Sequence, residues 1–282
     1  MAAAVAVLLA RRGVKRGSLS SSGAAAALVV GLLSMASSYR FGATLLLFYF
    51  TSSKLTKFGS ARKQQLEEGV EEGEGKRSHV QVLSCSAVGV ALALAHVWRF
   101  GVDGDHAAIA GGDLWSARLR VAYLAHFAAC TADTWASELG ILGPGKPFLM
   151  LSMRSCPPGT NGAVSTRGNL AALGGGAFAG AVFGVGGWAQ GGDSLAALPV
   201  LVVVGAVTGF FGSTVDSILG ETLQESWLSP SKKVCGHGLP EGADANEYKL
   251  ICGRAVLSNE QVNVASVVAA SLLGAALAPY TV

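Results

Sequence analysis

Long runs of apolar residues, each near the thickness of a bilayer's hydrocarbon core, constrain this chain more than any other feature. A membrane span needs roughly 20 mostly apolar residues, and about 17 at the short end. Stretches 80–98, 119–141, 168–190, 195–219 and 262–280 reach that length, and 23–38 and 41–53 read as a shorter helical pair broken at Arg40. Charged residues make up only 14% of the chain, against about 25% in soluble domains. The expected fold is all-α: a polytopic transmembrane helix bundle of about seven spans. Gly176/Gly180, Gly180/Gly184 and Gly205/Gly209 are small-xxx-small pairs inside the apolar runs. In lipid, helix association relies on close packing, and such pairs let backbones approach.

Charge orients the bundle. With seven spans, 17 of the 21 Lys and Arg residues fall on one side and four (Arg40, Arg99, Arg118 and Arg120) on the other. The positive-inside rule makes the first side cytoplasmic, or stromal in a plastid. Residues 23–282 are expected to form a single transmembrane domain whose inner loops cover about 54–79, 143–167 and 221–261. The 54–79 loop, which mixes five Glu with its bases, reads as solvated. Residues 1–22 form a basic, acid-free segment, read either as a truncated first helix or as targeting sequence.

Several chemistries lack their signatures. The five Cys form no CxxC pair, no Asn-x-Ser/Thr sequon occurs, and no basic block points to nucleic acid. There is no GxxxxGK[ST] loop and no GxSxG, and the five His show no ligand spacing.

Four polar clusters interrupt the apolar pattern, and all open toward the inner face. Thr51-Ser52-Ser53-Lys54-Leu-Thr56-Lys57 sets hydroxyls and two cations at a membrane boundary, suited to phosphate oxygens or to anchoring by snorkelling lysines. Asp133-Thr-Trp-Ala-Ser137-Glu138 places acids within the fourth span. Such acids are costly and normally face a partner, an ion or a water-filled cavity. Gly159-Thr160-Asn161-Gly162 is a tight turn whose backbone N–H groups could cradle an anion, or simply join two helices. Asp216 and Ser217 end the sixth span, and Asn259 and Asn263 open the last. A weak internal echo links 22–57 with 168–220, as in transporters built from repeats.

These clusters, together with Ser22-Gly23 and Val80-Gln-Val82, resemble the integral membrane family of vertebrate transmembrane protein nineteen and the plant glucose-response membrane protein. The same family contains the plastid phytyl-phosphate kinase, and this chain looks closer to the glucose-response branch. The family pattern implies Asp near Ser21, Asp at Ser258 and a small residue at Glu221. The chain departs from it at all three, so Glu221 is not read as an essential ligand.

The resemblance implies an isoprenoid lipid alcohol or lipid phosphate kinase that uses Mg²⁺ with CTP or ATP. Asp133 and Asp216 would be catalytic and, with Glu138, would hold the metal. Ser53, Lys54, Lys57, Gly159, Thr160, Asn161, Gly162, Ser217, Asn259 and Asn263 would bind substrate and phosphates. The implied partners are the bilayer and a prenyl lipid, in an endomembrane or plasma membrane rather than a plastid envelope. An ion-coupled transporter, using Asp133 as its ion site, and a non-catalytic protein of sugar response are the alternatives. The outer half of the bundle is expected to be nearly bare of polar side chains.

Overall fold

A computed structural model describes residues 2–66, 76–102, 109, 111–143, 145–236 and 238–281. Each of the seven expected stretches is helical. Helix α1 covers Ala2–Lys15, α2 Ser21–Ser37, α3 Tyr39–Leu66, α4 His79–Ser84 and α5 Ala87–Phe100. They are followed by α6 Leu114–Gly140, α7 Thr166–Ala189, α8 Leu198–Leu223 and α9 Asn259–Leu277. Side-chain caps set the helix starts. Ser20, Ser78, Asp113, Ser165 and Ser258 each accept a hydrogen bond from a backbone N–H in the first turn of the helix they precede.

Two expected boundaries are corrected. The second stretch does not stop at residue 53: α3 runs 28 residues to Leu66, so the first part of the supposed inner loop is helix. No proline interrupts it, and Thr56 bonds back to Ser52 O (3.0 Å) without breaking the ladder. The five Glu expected in that loop lie outside the described residues. The 80–98 stretch is two helices, not one. Ser86 Oγ donates to Val82 O (2.5 Å), while the Cys85 carbonyl is taken by His126 Nε2 of α6 (3.0 Å), so side chains replace the ladder at that point.

Helix α6 is the axis of the bundle, with every residue from Arg120 to Ala132 buried. Helices α3, α5, α7, α8 and α9 pack around it. Close backbone contact explains the glycine pairs. A side chain at Gly176 would strike Gly205 O, one at Gly205 would strike Gly176 O, and one at Gly180 would strike Leu201 O. Gly209 likewise lies against Ala128 O of α6, and Gly274 of α9 against Val121 O. The expected small-xxx-small packing is thus the α7–α8 seam, continued onto α6. An aromatic stack of Phe41, Tyr123 and Phe183 fills the core, and Tyr123 Oη donates to Phe41 O (2.8 Å).

The expectation of a bare outer half is overturned. Arg40 Nη2 lies 3.0 Å from Asp193 Oδ2, both side chains almost fully buried, and the guanidinium sits 4.8 Å over the Phe183 ring. Asp193 Oδ1 also accepts from Ile109 N (2.8 Å), and His96 Nε2 shares a proton with Ser116 Oγ (2.9 Å) beside buried Arg120. One ion pair binds the start of α3 to the α7–α8 connection, so this end of the bundle is tied shut by buried polar groups.

The helices are joined at the other end by small sheets, a departure from a purely α fold. Phe148–Leu149 (β1) pairs antiparallel with Ala163–Val164 (β2). Ser226–Leu228 (β3) is the centre of a three-stranded antiparallel sheet, between Val234–Cys235 (β4) and Lys249–Cys252 (β5). Among the described residues, Thr166–Ala189, Leu195–Leu223 and Asn259–Tyr280 are long and apolar enough to cross a membrane by themselves, and α2 and α5 are shorter apolar helices.

Candidate functional site

Helix ends at the sheet-bearing end of the bundle enclose a polar cavity of about 760 Å³. Asp133 of α6 and Asp216 of α8 both line it. Ser213 Oγ donates to Asp133 Oδ1 (3.4 Å), and Ser266 Oγ of α9 donates to Asp216 Oδ2 (3.4 Å). Ser213 and Asp216 are three residues apart and so share a face of α8, with Cβ atoms about 5–6 Å apart. The two acids therefore line one cavity from the two sides of the α6–α8 contact, with Asp133 held by Ser213 on the face of α8 that carries Asp216.

Asn259 and Asn263, one turn apart on α9, face the same cavity, as do Ser217 and Gln224. Three cations complete its wall: Lys63 from the end of α3, Lys146, and Arg167 from the first turn of α7, whose Nη1 donates to Leu142 O (3.4 Å). Two acids set into the bundle with three cations about them form an arrangement that can hold a polyanion together with a hard cation.

The Gly159–Gly162 turn lies on this wall, and its position is fixed from both sides. Gly162 takes φ +73° and touches the last turn of α8 so closely that any side chain would run into Ser217 O and Glu221 N. Asn161 N donates to Ser226 Oγ (3.0 Å), and Asn161 Nδ2 to Gly236 O (2.7 Å) and Glu225 O (3.3 Å). Thr160 N donates to Pro157 O (3.4 Å). Two amides expected to cradle an anion are thus already used, Thr160 N within the turn itself and Asn161 N in docking the turn to the sheet.

Glu221 accepts from Leu151 N (2.6 Å) and Ser152 N (2.9 Å), so it caps the 149–153 turn, in keeping with its exclusion as a ligand. Below it, Leu149, Cys156 and Cys252 form a small separate core. Burial pushes the Cys156 thiol up to about 11, and it raises that of Cys252 as well.

Three expected residues fall elsewhere. Ser53, Lys54 and Lys57 do not line the cavity; Lys54 and Lys57 are exposed, and Lys57 Nζ donates to Arg16 O (3.1 Å). The reason is the length of α3. Thr56 and Lys63, seven residues apart and hence on one face, look inward, while the expected trio looks away. Lys63 lies in the segment expected as loop beyond Ser53; the signal for helix there is the absence of proline and the helix-favouring Ala61–Leu66 run that follows Gly59 and Ser60. Glu138 is not grouped with the two aspartates. Its Oε1 pairs with Lys63 Nζ (2.9 Å), and Glu138 itself is buried.

Among the described residues no three His, Cys, Asp or Glu side chains come together as a metal cage. The donors present are the carboxylates of Asp133 and Asp216, several carboxamides and hydroxyls, which offer oxygen ligands. Mg²⁺ is commonly bound by one or two carboxylates plus water and substrate phosphates, and that donor set fits it.

A second, mostly apolar cavity of about 250 Å³ adjoins the first. It lies among α1, α2 and α3 and shares Asp133, Ser137, Asn259 and Asn263 with the polar cavity.

A polytopic helical bundle with an acid-bearing polar cavity at one end is the architecture of an integral membrane protein. Residues 4–271 match the family described as integral membrane protein DUF92, and the chain belongs to that family. It is similar to Protein PGR of Arabidopsis thaliana, 35% identical over 273 residues, covering 95% of this chain and 92% of that one. It is also similar to an uncharacterized membrane protein, sll0875, of Synechocystis, 29% identical over 185 residues, or 65% of this chain and 63% of that one. Protein VTE6, chloroplastic, of Arabidopsis is 30% identical over 157 residues, 55% of this chain and 44% of that protein. The word chloroplastic in that name counts against the preference for an endomembrane or plasma membrane. No solved structure matches the chain.

Proposed function

We propose that this protein transfers the terminal phosphoryl group of a nucleotide to an isoprenoid lipid alcohol or its monophosphate, at the inner face of the membrane. The observation that supports the reading is the polar cavity itself, lined by Asp133 and Asp216 together with Lys63, Lys146 and Arg167. Phosphoryl transfer is largely positioning and charge stabilisation, so cations and acids in fixed places suffice without a P-loop. Lys63, Lys146 and Arg167 take the nucleotide's phosphate oxygens, in place of the expected Lys54 and Lys57. Asn259 and Asn263 orient the acceptor. With an alcohol, its oxygen forms the new bond to the terminal phosphorus, the bond to the bridging oxygen breaks, and the nucleoside diphosphate leaves with that electron pair. The hydroxyl proton passes to the Asp133 carboxylate. Mg²⁺, held by Asp133 and Asp216 with the phosphates, would offset the charge of the transferring group.

The same reading takes seven membrane crossings, with 54–79, 143–167 and 221–261 on the inner side. It is supported by the 17:4 division of positive charge and by the gathering of Lys63, Lys146, Arg167 and Asp216 at one end. A second reading is a non-catalytic membrane protein, in which the cavity binds a ligand without turning it over; the longer likeness is to Protein PGR and not to the chloroplastic relative.

Purified protein incubated with labelled CTP or ATP and a panel of isoprenoid alcohols and phosphates tests the proposal. A labelled lipid product is expected. Asp216→Asn should lower turnover by orders of magnitude while insertion and purification stay normal, because metal charge stabilisation is worth several kcal/mol. Unchanged turnover in that variant, or no product with any acceptor, leaves the non-catalytic reading.

A further inference from the structure

Next to the polar cavity lies a third, of about 310 Å³, that no step above uses. It lies where α8 ends and α9 begins, between Gln224 and Glu225 on one side and residues 255–260 on the other. Its wall is pinned to the end of α8. Val256 N (3.1 Å) and Leu257 N (3.0 Å) both donate to Leu223 O, and Gly253, at φ +79°, lies against Gln224 O. Those contacts also spend the donors of this segment. Ser258 N donates to Gln261 Oε1 (2.8 Å) and Ser258 Oγ to Glu260 Oε2 (3.0 Å). What the wall offers a ligand is therefore mostly acceptors, led by the carboxylates of Glu225 and Glu260. Glu225 Oε1 stands over Gly238, where an added Cβ would meet it at 2.9 Å. Among the described residues that line the cavity, none is Lys or Arg. Such a wall repels phosphate and suits an uncharged group that donates hydrogen bonds. Nor does a third acid join the two glutamates, so among the described residues they make no metal cage.

Gln224 is a separate pointer to a ligand. It is only 7% exposed, it lines this cavity and the polar one alike, and its carboxamide has no hydrogen-bond partner among the described residues. A buried amide left unpaired is costly, and a ligand passing from one cavity to the other would satisfy it. Asn259 also lines both. The two spaces thus make one path, with cations at one end and acceptors at the other. A molecule that matches it carries phosphates at one end and adjacent hydroxyls at the other.

We propose that the third cavity is the ribose site of the nucleotide donor, in which Glu225 and Glu260 accept from the 2′- and 3′-hydroxyls and Gln224 bonds the sugar where it meets the phosphates. The inference rests on the phosphoryl-transfer reading for the phosphate end. Ionised acceptors make the stronger hydrogen bonds, which is why a carboxylate is a common partner of a ribose hydroxyl. The volume is at the small end of ligand pockets, roughly 300–1,000 Å³, in keeping with a site for part of a larger ligand.

Binding of non-hydrolysable ATP and CTP analogues to the full protein in nanodiscs, each compared with its 2′,3′-dideoxy form, tests the site. The ribose forms should bind at least about tenfold tighter, the usual value of a hydrogen bond to a charged group. That ratio should fall toward one in Glu225→Ala and in Glu260→Ala, a loss of discrimination that a general weakening of the fold would not produce. Gly174→Ala, at an open position on α7, should keep it. The comparison in the natural protein needs no variant to fold. Equal affinity for ribose and dideoxy forms there, or a ratio that persists in either folded glutamate variant, overturns the site and leaves the phosphoryl-transfer reading intact. A clear preference for the ribose form with no labelled lipid product keeps the site and sinks the transfer reading. Failure of every nucleotide to bind overturns both.

Discussion

Lys63 serves two neighbours at once: it closes an ion pair with buried Glu138 and it is one of the cations facing the acid cavity. Removing it therefore has two separable effects. Lys63→Met should destabilise the protein, since a buried pair that loses one partner leaves an uncompensated charge worth about 3–5 kcal/mol; partial exposure of Lys63 puts the effect at the lower end. The double variant Lys63→Met/Glu138→Gln should recover most of that stability, read as melting in detergent, yet leave nucleotide affinity at least about tenfold down. If the double variant regains affinity as well, Lys63 is only a structural partner of Glu138. A second residue-scale expectation concerns Cys156. Its thiol, raised to about 11, stays neutral at pH 7 and is a poor nucleophile, because the thiolate is the reactive form. Alkylation in the native protein should be slow near neutrality and accelerate only as pH climbs toward 11. The sign for stability is the same: with the folded value above the unfolded one, the stabilisation from burying the neutral thiol fades as pH rises through that range. Rapid labelling of Cys156 at pH 7 would contradict its burial.

At the scale of elements, the α7–α8 seam decides where Asp216 stands. Gly176 and Gly205 meet backbone to backbone, so Gly205→Leu must push the two helices apart or fail to assemble. The expected outcome is loss of monodisperse protein on gel filtration, while Gly174→Ala, at a position with open space around it, should be silent. The 159–162 turn holds the other end of α8. Asn161→Ala removes donors to Gly236 O and Glu225 O and should cost about 1–3 kcal/mol through carbonyls left without them. Faster hydrogen exchange is expected in 157–165 and 226–236 with α6 unaffected. Exchange unchanged in both segments would mean the turn is held by its glycine contacts alone.

For the whole molecule, the two ends behave differently. One end is polar and open around Asp133 and Asp216; the other is sealed by Arg40, Asp193, Gln190, His96 and Arg120. The buried Arg40–Asp193 pair ties the start of α3 to the α7–α8 connection at that end. Asp193→Ala should cost about 3–5 kcal/mol in detergent melting, and the paired change Arg40→Leu/Asp193→Leu should cost less. Nucleotide binding at the distant cavity should survive both. Cysteines placed at Lys146 and Lys249 should label from the inner side of sealed vesicles and one at Trp115 from the outer; labelling of all three from one side would sink the seven-span topology.

The sequence by itself determined that this chain is a helical membrane protein. Apolar run length is a local property, and so is the glycine spacing, so the helices and the close α7–α8 packing could be read along the chain. Asp133, Asp216, Asn259 and Asn263 were legible too, because polar groups in lipid-length helices stand out against their surroundings. Only the tertiary structure decided which cations join them. Lys63 faces the cavity and Lys54 and Lys57 do not because α3 continues more than three turns past an apparent boundary, and helical phase accumulates with length. Nor could the sequence pair Arg40 with Asp193, which lie 153 residues apart. Each reads alone as a boundary charge, and the reason they are buried exists only once α3 and the α7–α8 connection have been brought together.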